Sequence, residues 1–236
     1  MKTVWFSEAQ SRFLLQKILE QKWDFEYVYK KNELVIFHNH RSFLTFRMPI
    51  SMTFPQEDFF IPIERVNYLL ILIRSGMASI GYFQDGKLLD HKVFRAYMVR
   101  KKQGTSQIKH LKTKGKSRAG SRVRLAQTVT FFEEINSRLK LYFGKYPVDK
   151  IGLSCPVTLI PYFFRSKIPP PFPKKDERIF KIPKHIPNPT YETLIQVNEF
   201  LLMGQISYAE DNDSLVKNLI KPLEDKKWDG EKEDNW

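Results

Sequence analysis

A chain of 236 residues with 42% hydrophobic and 14% aromatic content can bury a sizeable core, so the protein is globular. Its formal net charge of +13 calls for an anionic partner, a nucleic acid or an anionic membrane. The single cysteine, Cys155, excludes an internal disulfide and a cysteine-based zinc cluster; a reducing compartment suits it, and within "IGLSCPV" it reads as a core residue.

Ser7 followed three residues later by Gln10 makes a capping box, and Phe13, Leu14, Leu15, Ile18 and Leu19 recur with helical period, which predicts a helix from about Glu8 to Lys22. The runs "FEYVYK", "ELVIFH" and "FLTFRM" read as a meander of strands, completing a small N-terminal α+β subdomain over residues 1–60. "FPQEDFFIPIERV", interrupted by Pro55 and Pro62, reads as a linker. Beyond it "YLLILIR", "ASIGYF" and "KLLDHKVFRAYMV" predict three antiparallel strands, with Asp85-Gly86 supplying the positive backbone angles of a tight hairpin turn.

An amphipathic helix follows at about Arg122 to Phe143, with Leu125, Val129, Phe132, Ile135 and Leu139 on one face. Then come a buried strand in "VDKIGLSC", a short helix in "TLIPYFFRSK", an extended proline-rich loop in "IPPPFPKKDE", a strand in "ERIFKIP" and a helix over "TYETLIQVNEFLLMGQI". The order βββ-α-β-α-β-α predicts a mixed α/β, ribonuclease H-like sheet covered by helices over residues 61–206. From Ala209 to Trp236 nine acids stand against five lysines, so residues 207–236 read as an acidic, largely flexible tail with at most an amphipathic turn or two.

The charge is focused: from His91 to Phe132 there is no Asp or Glu, yet the span holds twelve Lys or Arg. Arg95, Arg100, Lys101, Lys102, Lys109, Lys112, Lys114, Lys116, Arg118, Arg122 and Arg124 are therefore candidates for neutralising RNA phosphates. Composition alone favours a flexible, solvated polybasic loop without catalytic work. An anionic membrane ranks last, because no large apolar face accompanies the charges. The longest apolar run, "YLLILI" at Tyr68–Ile73, is far below the roughly 20 residues of a membrane span, and the start "MKTVWFSEAQ" lacks a signal-peptide pattern, so the expectation is a cytoplasmic protein.

Ribonuclease H-type nucleases hold two metal ions with clustered carboxylates, and such a cluster is hard to find here. Asp85 belongs to a turn, Asp90 stands alone, Glu133 and Glu134 lie on a helix, and Asp149 precedes a strand. His38 and His40 flank Asn39, but two nitrogens do not make a zinc site. No Walker loop, dinucleotide fingerprint, G-x-S-x-G elbow or cysteine nucleophile with an obvious base is present, so neither metal nor cofactor is expected.

The stretch "HKVFRAYMVRKKQGTSQ", His91 to Gln107, with "SRAGSRVRL", Ser117 to Leu125, strongly resembles the Vms-type release-factor-like domain. That family is related to the catalytic domain of eukaryotic and archaeal class-I peptide chain release factors. "ERIFKIPKHIPNPTYETL" resembles the family's later strand, proline-containing turn and helix, so the resemblance spans roughly Asn67 to Leu202. It implies a ribonuclease H-like fold without the carboxylate cluster and a G-x-x-Q loop in which Gly104, Thr105, Ser106 and Gln107 form the catalytic element. It also implies large ribosomal subunit, peptidyl-tRNA and ribosomal RNA as partners of a compact, monomeric bacterial member. The reaction stays open between hydrolysis of the peptidyl-tRNA ester and cleavage of a phosphodiester near the tRNA CCA end. A non-catalytic ribosomal RNA or tRNA binder is the alternative. Arg118 stands where the family commonly has serine, and Leu125 and Ala126 where Arg and Tyr are frequent. No zinc finger, ankyrin repeat or long coiled coil is recognisable, so the recruitment partners of eukaryotic relatives are not carried over.

Overall fold

A computed structural model describes residues 1–52, 66–96 and 116–224 of the chain. It is a mixed α+β protein with two five-stranded sheets and five α-helices. Two compact units result, one from Met1–Val66 with Val197–Trp236 and one from Asn67–Gln196. Most of the stretch read as a linker, residues 54–65, lies outside the described residues.

In the first unit the strands β1 (Lys2–Phe6), β2 (Asp24–Val28), β3 (Glu33–His38), β4 (Arg41–Arg47) and β10 (Gly204–Tyr208) form an antiparallel sheet ordered β1-β10-β4-β3-β2. Helix α1 (Glu8–Glu20) opens with the expected capping box: the Gln10 amide donates to the Ser7 hydroxyl at 3.3 Å, and the Ser7 amide donates to Gln10 Oε1 at 2.8 Å. Its Leu14, Leu15 and Ile18 pack with Leu34, Ile36, Phe46 and Ile206 of the sheet. The turn into β3 is locked by Asn32, which adopts φ 55 and donates from Nδ2 to the Met48 and Pro49 carbonyls at 2.9 and 3.0 Å.

Four features of this unit differ from expectation. Strand β1 was not anticipated; the last helix stops at Leu202 instead of running to Ile206; and residues 204–208 form β10, inserted between β1 and β4. The segment expected as tail carries helix α5 (Asp213–Glu224), whose Val216, Leu219, Ile220 and Leu223 are buried in the same core. Four apolar residues on one face are enough to hold it, whatever the acidity of its other face.

The second unit is built on β5 (Asn67–Arg74), β6 (Met77–Gln84), β7 (Lys87–Arg95), β8 (Lys150–Ser154) and β9 (Ile179–Lys181), ordered β7-β6-β5-β8-β9. β5, β6 and β7 are antiparallel, and β8 and β9 run parallel to β5. Asp85 and Gly86, at φ 49 and 79, turn β6 into β7 as anticipated. Helix α2 (Lys116–Lys145) packs Phe131, Phe132, Ile135, Leu139 and Tyr142 on Leu69, Ile71, Ile80 and Tyr82. It is a turn and a half longer at its start than the apolar period implied, because that period begins only where the helix meets the sheet.

Helix α3 (Ile160–Phe164) has proline in its first turn, where the missing amide proton costs nothing. The proline-rich loop is more than a spacer: Phe172 is buried against Phe163 and Phe164, and the buried Asn136 of α2 donates to the carbonyls of Phe163 and Ile168 at 2.9 and 2.8 Å. Helix α4 (Tyr191–Leu202) follows Thr190, whose hydroxyl accepts from the Thr193 amide at 3.2 Å.

Two glycines give opposite expectations. A Cβ on Gly204 would sit 2.1 Å from Ser11 Oγ and 3.1 Å from Ser11 Cβ, so β10 can approach α1 only with glycine there. Gly204→Ala should destabilise the protein by about 1–3 kcal/mol through overpacking. A Cβ on Gly144, near the end of α2, meets nothing within 4 Å, and Gly144→Ala should stabilise by about 0.5–1 kcal/mol. Denaturant unfolding of the two variants checks both signs.

Candidate functional site

The basic segment follows β7 and precedes α2 in the chain. On one side β7 ends at Arg95, paired in register with Met77, and the Ala96 amide donates to the Gly76 carbonyl at 2.8 Å. On the other side α2 begins at Lys116 and is fixed by its buried stripe. Arg138 of α2 donates to Asp90 of β7 at 2.7 Å, so the two elements that carry the segment are joined directly. Each partner is about 30% exposed, which limits the bridge to roughly 0–1 kcal/mol; it aligns more than it stabilises. The same guanidinium lies 4.7 Å from the centroid of the Tyr142 ring, and burial pushes that phenol up to about 12.

Of the residues picked out in the sequence, Gly104, Thr105, Ser106, Gln107, Arg100, Lys101, Lys102, Lys109, Lys112 and Lys114 lie outside the described residues. Lys116, Arg118, Arg122 and Arg124 fall in the first three turns of α2, which has no acid in its first turn. A helix start carries partial positive charge, so this arrangement favours an anion there. Arg95 closes β7 and is exposed; it helps hold the Glu192 carboxyl below the usual range, a shift that comes first from the backbone amide of Glu192 itself and then from Thr190.

Two of the carboxylates have structural partners. Asp90 does not stand alone but pairs with Arg138. Asp149 Oδ2 accepts from the backbone and side-chain amides of Asn67 at 2.8 and 3.0 Å, tying the start of β5 to the approach of β8. Among the described residues no three His, Cys, Asp or Glu side chains gather where they could hold a metal ion. His38 ends β3 with its ring against Trp23 and Phe43. Among the described residues no helix is long and apolar enough to cross a membrane.

Cys155 follows β8, where burial pushes its thiol up to about 12 against the opposing pull of Arg74. It lines a cavity of about 580 Å³ at the carboxyl ends of β5, β8 and β9, shared with Arg74, Phe180, Lys181 and His185. Cys155 packs against the core of the second unit, and a thiol held protonated is a poor nucleophile.

Residues 68–209 match the family described as Bacteroidetes VLRF1 release factor. The chain belongs to that family. The matched span contains the entire His91–Gln107 string and all of α2. No curated protein matches the chain. Among solved structures, one described as "Vms1 mitochondrial localization core" is similar at 15% identity and a TM-score of 0.35, over 58% of this chain and 54% of that one. The chain thus spans about half the length of that structure.

At pH 8 the native protein should react with a thiol-alkylating reagent at least tenfold more slowly than the unfolded chain, since the thiolate population falls about tenfold for each unit of upward pKa displacement. Mass spectrometry of alkylated Cys155 with and without denaturant measures the ratio.

Proposed function

We propose that the protein is a ribosome-associated rescue factor acting on peptidyl-tRNA in stalled large ribosomal subunits. The family match over residues 68–209 carries this reading, because it contains the complete G-x-x-Q string within an acid-free basic segment. The sheet order, three antiparallel strands followed by two parallel to the first, supports a ribonuclease H-like description of the second unit. The factor works as a monomer in the cytoplasm, without metal or cofactor.

Gln107 is the reacting centre's positioning amide. It cannot ionise, so it does not serve as a general base; its amide offers one acceptor and two donors that orient a nucleophile and stabilise developing negative charge. Gly104 leaves the backbone free to approach the tRNA 3′ end closely, with Thr105 and Ser106 completing the loop. Lys101, Lys102, Lys109, Lys112, Lys114 and Arg100 neutralise phosphates on either side, and Lys116, Arg118, Arg122 and Arg124 extend that track along α2.

Two bonds are within reach of this chemistry. In one, water attacks the ester carbonyl, the bond to the ribose oxygen breaks, and a free peptide and an intact tRNA leave. In the other, a ribose 2′-hydroxyl attacks the adjacent phosphorus, the 5′ oxygen departs with a proton, and a cyclic phosphate remains. Sequencing the tRNA 3′ end after reaction distinguishes them.

Gln107→Ala should lower the single-turnover rate on purified stalled complexes by about two orders of magnitude, equivalent to about 2.7 kcal/mol, while ribosome affinity changes little. Gln107→Glu, which replaces the donor by a negative charge beside phosphates, should be at least as damaging. Wild-type rates in both variants would transfer the assignment to a non-catalytic ribosomal RNA or tRNA binder.

A further inference from the structure

Helix α3 and the residues after it form, with α2, a pocket of about 330 Å³ lined by Val129, Phe132, Tyr162, Arg165, Ser166 and Lys167. Tyr162 is 46% exposed. Its orientation is nevertheless set: the ring lies near-parallel to that of the fully buried Phe132, at 16° and 6.2 Å between centroids. The two hydrogen bonds from Asn136 to the Phe163 and Ile168 carbonyls tie this segment to α2 on both sides of Arg165. An exposed aromatic face is therefore presented on a rigid support.

Two cations flank that face. Arg165 and Lys167 are exposed, and neither forms an ion pair among the described residues. A flat π face flanked by two cations that form no ion pair among the described residues complements a base and its flanking phosphates. A strand leaving the pocket along α2 would run towards the basic segment.

We infer that this pocket seats an unpaired nucleotide of RNA, with Tyr162 stacking on the base and Arg165 and Lys167 neutralising the phosphates on either side. The inference adds a second contact to the proposed RNA partner and is independent of which bond Gln107 helps to break. An acidic peptide would meet the same two cations but would have no use for the stacking ring, and the test separates the two.

The test measures binding of the full chain to a fluorescent single-stranded oligoadenylate, with a blunt RNA duplex for comparison. Tyr162→Ala should weaken single-strand binding about ten- to a hundredfold, the range measured when stacking residues are truncated, while Tyr162→Phe stays within about twofold of wild type. The double variant Arg165→Gln/Lys167→Gln should flatten the dependence of log affinity on log salt by about 1.4, two phosphates at about 0.7 each. Ultraviolet crosslinking of the wild-type protein to the same oligonucleotide should mark the peptide that carries Tyr162, which keeps the result readable if Tyr162→Ala fails to fold. Wild-type binding by Tyr162→Ala, equal damage from Tyr162→Phe, or crosslinks confined to residues 97–115 would each overturn the inference. None of these outcomes alters the cleavage expected of the Gln107 variants, so the two readings fail separately.

Discussion

Strand β5 is the constraint around which the second unit is arranged. Seven of its eight residues are buried, so both faces must be covered and both edges paired. β6 satisfies one edge in antiparallel register and β8 the other in parallel. Leu69, Ile71 and Ile73 receive α2, while on the opposite face the glycines at 81 and 152 leave room for Leu194, Phe180 and Leu70 at distances a Cβ would not allow. A continuous apolar run with no alternation thereby decides where α2 lies. The helix in turn decides where the basic segment returns.

The start of α2 runs against the usual preference of helices for acids in their first turn. Four of its first nine residues are cations. The helix is held by its far half, where Phe131, Phe132, Ile135, Leu139 and Tyr142 are buried and Arg138 meets Asp90. One end thus carries the stability and the other a charge distribution suited to a polyanion. Local rules broken at one place and compensated at another are characteristic of functional sites.

What could be read from the sequence was local. The Ser7–Gln10 box, the Asp85-Gly86 turn and the periodicity after Val129 each announce themselves within a few residues, and each element is found where its signal lies. β1 and β10 carry no such signal, since five residues of mixed character become strands only by pairing with partners far along the chain. "MGQI" extends the apolar pattern of α4 seamlessly, and only the crowding of Gly204 against Ser11 reveals a strand. α5 was obscured because average acidity outweighed its apolar stripe at Val216, Leu219, Ile220 and Leu223. For the site, the H-K to G-x-x-Q string is legible as a motif, whereas the Asp90–Arg138 link is not, because the two residues are brought together only by the packing of α2. "YFFRSK" was visible as a short helix; that Tyr162 stays half exposed while Phe163 is buried depends on Phe132 and Asn136, both some thirty residues earlier.

The family's matched span, residues 68–209, ends just after β10, yet that strand lies between β1 and β4 in the sheet of the first unit. Both of its neighbours come from residues before 68. A fragment cut at the borders of the match would therefore carry β10 stripped of partners on both sides, its backbone amides and carbonyls unpaired and Ile206 and Tyr208 uncovered. Such a strand is a template for pairing with other chains, and the excised piece would be prone to self-association for reasons unrelated to its chemistry. In evolutionary terms, the N-terminal unit and the matched segment are not interchangeable cassettes: a recombination that exchanged one without the other would have to supply a new pair of flanking strands.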